Sequence, residues 1–174
     1  MKHINVNELR AIAPTLKCGE QIFLSGKVYT ARDAAHKRFF EALASGKELP
    51  FDIKDAIIYY CGPTPAPDGL PIGSAGPTTS KRMDPYAPTL YDMGMLATIG
   101  KGERSRDVID AIKRNGALYL CALGGAGALA ARSITSLKVI ALEELGCESV
   151  KEIDLDNFPL FVACDTLGNS IYDL

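Results

Sequence analysis

Between residues 62 and 88 the chain carries Pro63, Pro65, Pro67, Pro71, Pro77, Pro85 and Pro88, with Gly62, Gly69, Gly73 and Gly76 among them. A helix or central strand cannot run through this spacing, because each proline lacks an N–H and fixes its own φ. A connection this long in a compact chain is either functional or a linker. Patterned sequence lies on both sides, which weighs against a linker. Before it, Ala56 to Tyr60 is a short apolar strand. After it, Asp84-Pro85 reads as a helix start, with Asp84 as N-cap and Pro85 at the first helical position, ending near Gly94.

The rest of the chain alternates strand and helix patterns. Gln21 to Tyr29 is rich in β-formers. Thr30-Ala31-Arg32-Asp33 resembles a capping box, with Thr30 capping a helix that runs to Ala44 and stops at Gly46. Ala35, Phe39 and Leu43 form its core stripe. Met95 to Ile99 is a strand, and Gly100-Lys101-Gly102 a turn. Arg106 to Asn115 is a helix ended by Gly116. Ala117 to Ala122 is a strand, and Ala126 to Arg132 a helix. Ser136 to Ala141, Val150 to Leu155, Leu160 to Cys164 and Ile171-Tyr172 are strands. This order predicts a mixed α/β domain with one or two sheets. With 174 residues, one domain spanning 1–174 is expected.

The proline-rich stretch contains Gly76-Pro77-Thr78-Thr79-Ser80-Lys81-Arg82-Met83-Asp84. If a helical turn starts at Thr78, its hydroxyl and the Arg82 guanidinium share one face. A free helix N-terminus there offers N–H groups to a small carboxylate or phosphate. The competing reading is a surface helix capped by Thr78 or Thr79. Arg32 falls in the first turn of its own helix, where the dipole disfavours a cation, and this too suggests an anionic partner. His36, one turn later, is an acid, an orienting group, a substrate contact or a packing residue. Net charge is −2, so no global basic field exists for nucleic acid. Basic residues cluster around the motifs and acidic ones after Glu143. An odd count of five cysteines, without CxxC spacing, reads as free thiols in a reducing, cytoplasmic setting. No secretory signal and no membrane-spanning run is evident.

Several blocks carry a resemblance. They are Gly62-Pro63-Thr64-Pro65-Ala66, Gly76 through Asp84, Ser25 through Arg38, Ile99-Gly100-Lys101-Gly102, Gly124-Gly125-Ala126-Gly127-Ala128 and Asn157-Phe158-Pro159. Together the chain resembles the β subunit of class I fumarases and L-tartrate dehydratases, the iron–sulfur hydro-lyases. The resemblance implies a swivelling β/β/α domain. It implies reversible hydration of fumarate to (S)-malate, or alternatively dehydration of L(+)-tartrate, by an enzyme active only with an α subunit. It implies that the α subunit holds the [4Fe–4S] cluster, with no metal bound by this chain, and that αβ pairs assemble into a hetero-oligomer. Carried residue by residue, it makes Thr78 the catalytic base and Arg32, Arg82 and Lys101 the substrate-binding cations; His36 joins them as a substrate-contact candidate from its place one turn after Arg32. Neither a nucleic acid nor a membrane partner is implied.

Two rivals stand beside this reading. Tyr119 to Ala130 is a strand, a glycine turn and a helix, and Gly125-x-Gly127-x-x-Ala130 matches a relaxed dinucleotide pattern, with Glu143 or Glu144 near the ribose-ligand spacing. The motif sits late and too little βαβ sequence follows, so close packing is the preferred explanation. The other rival is a subunit that only stabilises or regulates another enzyme.

Overall fold

A computed structural model of the chain describes residues 1–123 and 125–173. The elements run β1 (Lys2–Asn5), α1 (Val6–Ile12), β2 (Gln21–Thr30), α2 (Asp33–Ala44), β3 (Ile57–Tyr59), α3 (Ala87–Asp92), β4 (Ala97–Gly100), α4 (Arg106–Asn115), β5 (Leu118–Cys121), α5 (Gly127–Ala131), β6 (Ile134–Ala141) and β7 (Val150–Cys164). Short 3-10 turns cover Ala13–Thr15, Ser80–Met83, Glu143–Glu148 and Ile171–Asp173. The result is a mixed α/β structure, a sheet with flanking helices.

The sheet closes on itself. β2, β3, β4 and β5 run parallel in that order. β7 then pairs antiparallel with both β5 and β2 and completes the ring. β7 can serve both neighbours because it is 15 residues long. Its first half pairs β6 on one edge, its last residues pair β5, and its other edge follows β2 from Lys151 to Phe161. Side chains alternate across the strands and so divide into two cores. Ile22, Leu24, Tyr59, Ile99, Leu120, Phe158 and Leu160 belong to the inner one, joined by Leu9 of α1. Ile58, Tyr60 and Tyr119 belong to the outer one, with Ala35 and Phe39 of α2, Leu90 and Tyr91 of α3, and Val108 and Ile112 of α4.

Several expectations needed correction. The two strands Val150 to Leu155 and Leu160 to Cys164 are one strand. Asn157 adopts φ 49° and its N–H reaches Ser25 Oγ, so the ladder shifts between Leu24 and Gly26 and continues. This is a bulge, and Pro159 lies within the strand just after it. Ile171-Tyr172 is part of a 3-10 turn. Thr30 is the last residue of β2, and Arg32, without a side-chain cap bond, is the N-cap of α2. Tyr86, not Asp84, precedes α3, with Pro88 in its first turn. β1 and α1 were not foreseen. Their signal was present, because Asn5 and Glu8 form a complete capping box.

Candidate active site

The carboxyl ends of the four parallel strands lie at one edge of the ring. Arg32 follows β2, Cys61-Gly62 follows β3, Lys101 follows β4, and the glycine-rich turn follows β5. Gly124 of that turn lies outside the described residues. Loops at this edge of a parallel sheet make ligand crevices, because strand and helix directions leave open backbone there. The proline-rich stretch crosses the same edge. Thr78 N–H donates to Tyr60 O at 2.7 Å, Ser80 N–H donates to Lys101 O at 2.9 Å, and Thr79 forms a parallel bridge with Lys101. These bonds bring Thr78 and Lys101 together although 23 positions separate them in sequence.

The helical turn begins at Ser80 rather than Thr78. Thr78 and Arg82 are therefore not one turn apart on a helix face; Thr78 sits in the extended lead-in and Arg82 within the 3-10 turn. Thr78 is half-buried, and its hydroxyl has no hydrogen bond among the described residues. Arg82, with its side chain 53% exposed, donates from Nη2 to Asp33 Oδ2. Asp33 thus orients Arg82. Arg32 is less exposed, at 24%, and its Nε faces Glu148 Oε1 at 3.9 Å. Lys101 is half-buried and has no salt-bridge partner among the described residues.

His36 stands apart. It is fully buried among the rings of Phe39, Tyr60 and Tyr86, with centroids 5.5, 5.5 and 5.6 Å away. Its Nδ1 lies 2.7 Å from Arg32 O, so Nδ1–H donates to that carbonyl. Nε2 has no partner. Burial pushes its pKa down to about 4, with Arg104 adding to the effect, so the ring is neutral at pH 7. Its placement is that of a residue behind Arg32, fixing the backbone from which the guanidinium departs.

Sequence reasoning missed a second layer. The Arg104 side chain has no exposure; it donates to Asp84 Oδ1 at 2.7 Å, Thr98 Oγ1 at 2.9 Å and Tyr60 OH at 3.2 Å. It also lies 4.9 Å from the Tyr119 ring centre. Asp84 Oδ2 accepts from Ser105 N–H at 2.6 Å, at the start of α4. One carboxylate thereby ties the end of the Ser80–Met83 turn to the loop after Lys101. Nothing local in Asp84-Pro85 signalled this, because the partner is 20 residues away. Tyr119 OH, donating to Gly102 O at 2.7 Å and lying 2.9 Å from Ser80 Oγ, braces the Gly100-Lys101-Gly102 turn from below.

The glycine turn after β5 packs closely. A Cβ on Gly127 would sit 2.1 Å from Ser74 Oγ, and Gly127 O accepts from Ala75 N–H at 3.1 Å. This glycine lets α5 touch the proline-rich stretch, and α5 is only five residues long. The residues do not suit an iron–sulfur cluster. Among the described residues no three His, Cys, Asp or Glu side chains converge. Burial pushes the Cys61 and Cys164 thiols up to about 12, which keeps them protonated.

Comparison with known proteins bears on this edge. A family model described as Fumarase C-terminus matches residues 1–174. The chain is 42% identical over 154 residues to a protein of Escherichia coli K12 named class I fumarate hydratase, anaerobic; the match covers 87% of this chain and 28% of that protein. It is 38% identical over 169 residues to fumarate hydratase 2 of Leishmania major, covering 96% and 30%. It is 42% identical over 164 residues to a putative L(+)-tartrate dehydratase subunit beta of Methanocaldococcus jannaschii, covering 91% and 84%. The chain thus spans less than a third of the fumarate hydratases it matches and most of the M. jannaschii protein.

Proposed function

The chain belongs to the fumarase C-terminus family, and from that premise we propose that it is the β subunit of a two-subunit hydro-lyase that hydrates fumarate to (S)-malate reversibly. The observation that carries this reading is the convergence of Arg32, Lys101 and the Thr78–Arg82 segment at one edge of the ring. Hydration of fumarate requires that two carboxylates be gripped and that charge building on one of them be stabilised. Arg32 and Arg82 bind the carboxylates through their planar guanidinium forks. Lys101 adds positive charge where the dianion develops. Thr78 is the base in the dehydration direction. Its hydroxyl has no hydrogen bond among the described residues, and its alkoxide depends on the field of Lys101 and Arg82. His36 contacts no substrate in this reading; it holds the Arg32 carbonyl.

We assign the [4Fe–4S] cluster to an α partner, since the thiols of this chain do not fit it. The matched fumarate hydratases carry more than twice as much additional chain, and in this reading the α partner contributes that part. Leu123 and Leu129, 58% and 56% exposed beside the glycine turn, suit a covered surface. The 174 residues act as one domain that swivels on its partner to open and close the site. The setting is cytoplasmic, in keeping with five free cysteines. No helix among the described residues is long and apolar enough to cross a membrane. L(+)-tartrate is the second substrate reading, favoured by the 84% coverage of the M. jannaschii protein.

The test is anaerobic co-purification with this chain as bait, followed by fumarate hydration read from ultraviolet absorbance. Turnover that tracks an iron-bearing partner and is absent from the chain alone is expected. Turnover of L-tartrate without fumarate would replace the substrate, and no partner at all would overturn the split-site reading.

A further inference from the structure

The register of the ring places two distant segments side by side. Thr30 at the end of β2 pairs with Lys151 near the start of β7. Arg32, two residues past Thr30, therefore meets Glu148, three residues before Lys151. The Glu148 carboxylate has two neighbours there. Oε1 accepts from Ala34 N–H at 3.3 Å, in the first turn of α2, and lies 3.9 Å from Arg32 Nε. That Nε is buried and has no hydrogen-bond partner among the described residues, so its contact with Glu148 is an ion pair without a hydrogen bond. The guanidinium also lies against Gly62, where an added Cβ would sit 3.0 Å from both Cδ and Nη1. The terminal nitrogens of Arg32 make no hydrogen bond among the described residues. A bidentate carboxylate takes such free nitrogens.

Glu148 is itself held. It closes the 3-10 turn Glu143–Glu148, and Lys151 fastens the end of that turn from beneath. Lys151 Nζ donates to Cys147 O, Ser149 O and Ser149 Oγ at 2.9 Å each and to Gly146 O at 3.4 Å. An ammonium engaged by four acceptors has no donor left for a ligand. Its role is to fix the backbone on either side of Glu148.

We propose that Glu148 is the positioning residue of Arg32: on a turn pinned by Lys151, its carboxylate holds the Nε edge of the guanidinium and leaves the terminal nitrogens to the substrate carboxylate. This rests on the reading of Arg32 as a substrate-binding cation. Glu148 touches no reacting atom and acts only through Arg32.

Glu148→Gln separates positioning from helix capping, because the amide oxygen still accepts from Ala34 N–H while the charge facing Arg32 is gone. In the assembled enzyme with its α partner, KM for fumarate should rise about tenfold while kcat holds within about threefold. The melting temperature should stay near wild type. In an Arg32→Met background the same change should leave KM where Arg32→Met alone puts it. A KM within about twofold of wild type, or an equal rise in both backgrounds, would overturn the proposal. On the chain alone, nitrogen-resolved NMR of arginine Nε–H groups gives a readout independent of activity. Exchange of Arg32 Nε–H should quicken about tenfold in Glu148→Gln with the backbone spectrum otherwise kept. Unchanged exchange would refute the contact itself. If Arg32→Met leaves KM unaltered while the NMR change appears, the substrate role of Arg32 is what fails.

Discussion

Acidification should weaken this fold in part through His36. Its ring is buried in the outer core, donates from Nδ1–H to Arg32 O, and has no acceptor at Nε2 among the described residues. Protonation puts a second N–H on Nε2 with nowhere to donate. It also brings a cation toward Arg104, offset only in part by Asp33. Burial accordingly depresses the pKa from 6.5 to about 4. The sign follows from proton counting. Between pH 6.5 and pH 4 the unfolded chain binds a proton that the folded chain refuses, so stability is full above 6.5 and falls as pH drops toward 4. The two pKa values put the loss at about 2 kcal/mol by pH 5 and about 3 kcal/mol by pH 4.

Carboxylates also titrate in this range, so wild type must be compared with a non-titrating variant. His36→Asn offers an N–H toward Arg32 O and has no proton to gain. Urea midpoints of both proteins at pH 7.5, 6 and 5 give the assay. Wild type should lose about 2 kcal/mol more than the variant over this interval, a midpoint shift of roughly 1 M. The variant starts less stable, but the difference in slope is the quantity read. Parallel pH profiles would refute the reasoning and place an unseen acceptor at Nε2.

Asp84→Ala leaves the Arg104 guanidinium buried and unpaired, and should cost about 3–5 kcal/mol, seen as a fall of roughly 6–20 °C in melting temperature; a change under about 1 kcal/mol would mean that the pair is solvated. Gly100→Ala would place a methyl 1.9 Å from Ser80 Oγ, so the Ser80–Met83 turn should lift away from Lys101. Faster amide exchange at Ser80, whose N–H donates to Lys101 O, checks this. Lys101→Met and Arg82→Met should each lower kcat/KM of the assembled enzyme about 100- to 1,000-fold with partner binding intact. Mild effects on co-purified material would favour a regulatory subunit. Thr78→Val should abolish most turnover at little change in KM if Thr78 is the base, measured on the same complex.

Local pattern was enough for much of the framework. Arg106–Asn115 with its Gly116 cap, the strand from Gln21 to Tyr29, and the end of α2 at Ala44 were legible because periodicity, capping and glycine stops act within a few residues. The irregular crossing of residues 61–79 was equally plain, since proline removes donors whatever surrounds it. The sequence motifs also singled out Thr78, Arg82, Arg32 and Lys101. Tertiary structure alone decided how these meet. Asp33 takes Arg82 from 49 residues away, Glu148 reaches the start of α2 from 114 residues away, and β7 closes the ring by serving two strands at once. An ion pair or a strand pairing across such separations depends on where the whole chain returns, and no short window of residues encodes that. His36 makes the same point at a single position: its identity offered four roles, and its burial against Phe39, Tyr60 and Tyr86 was not encoded in any short window.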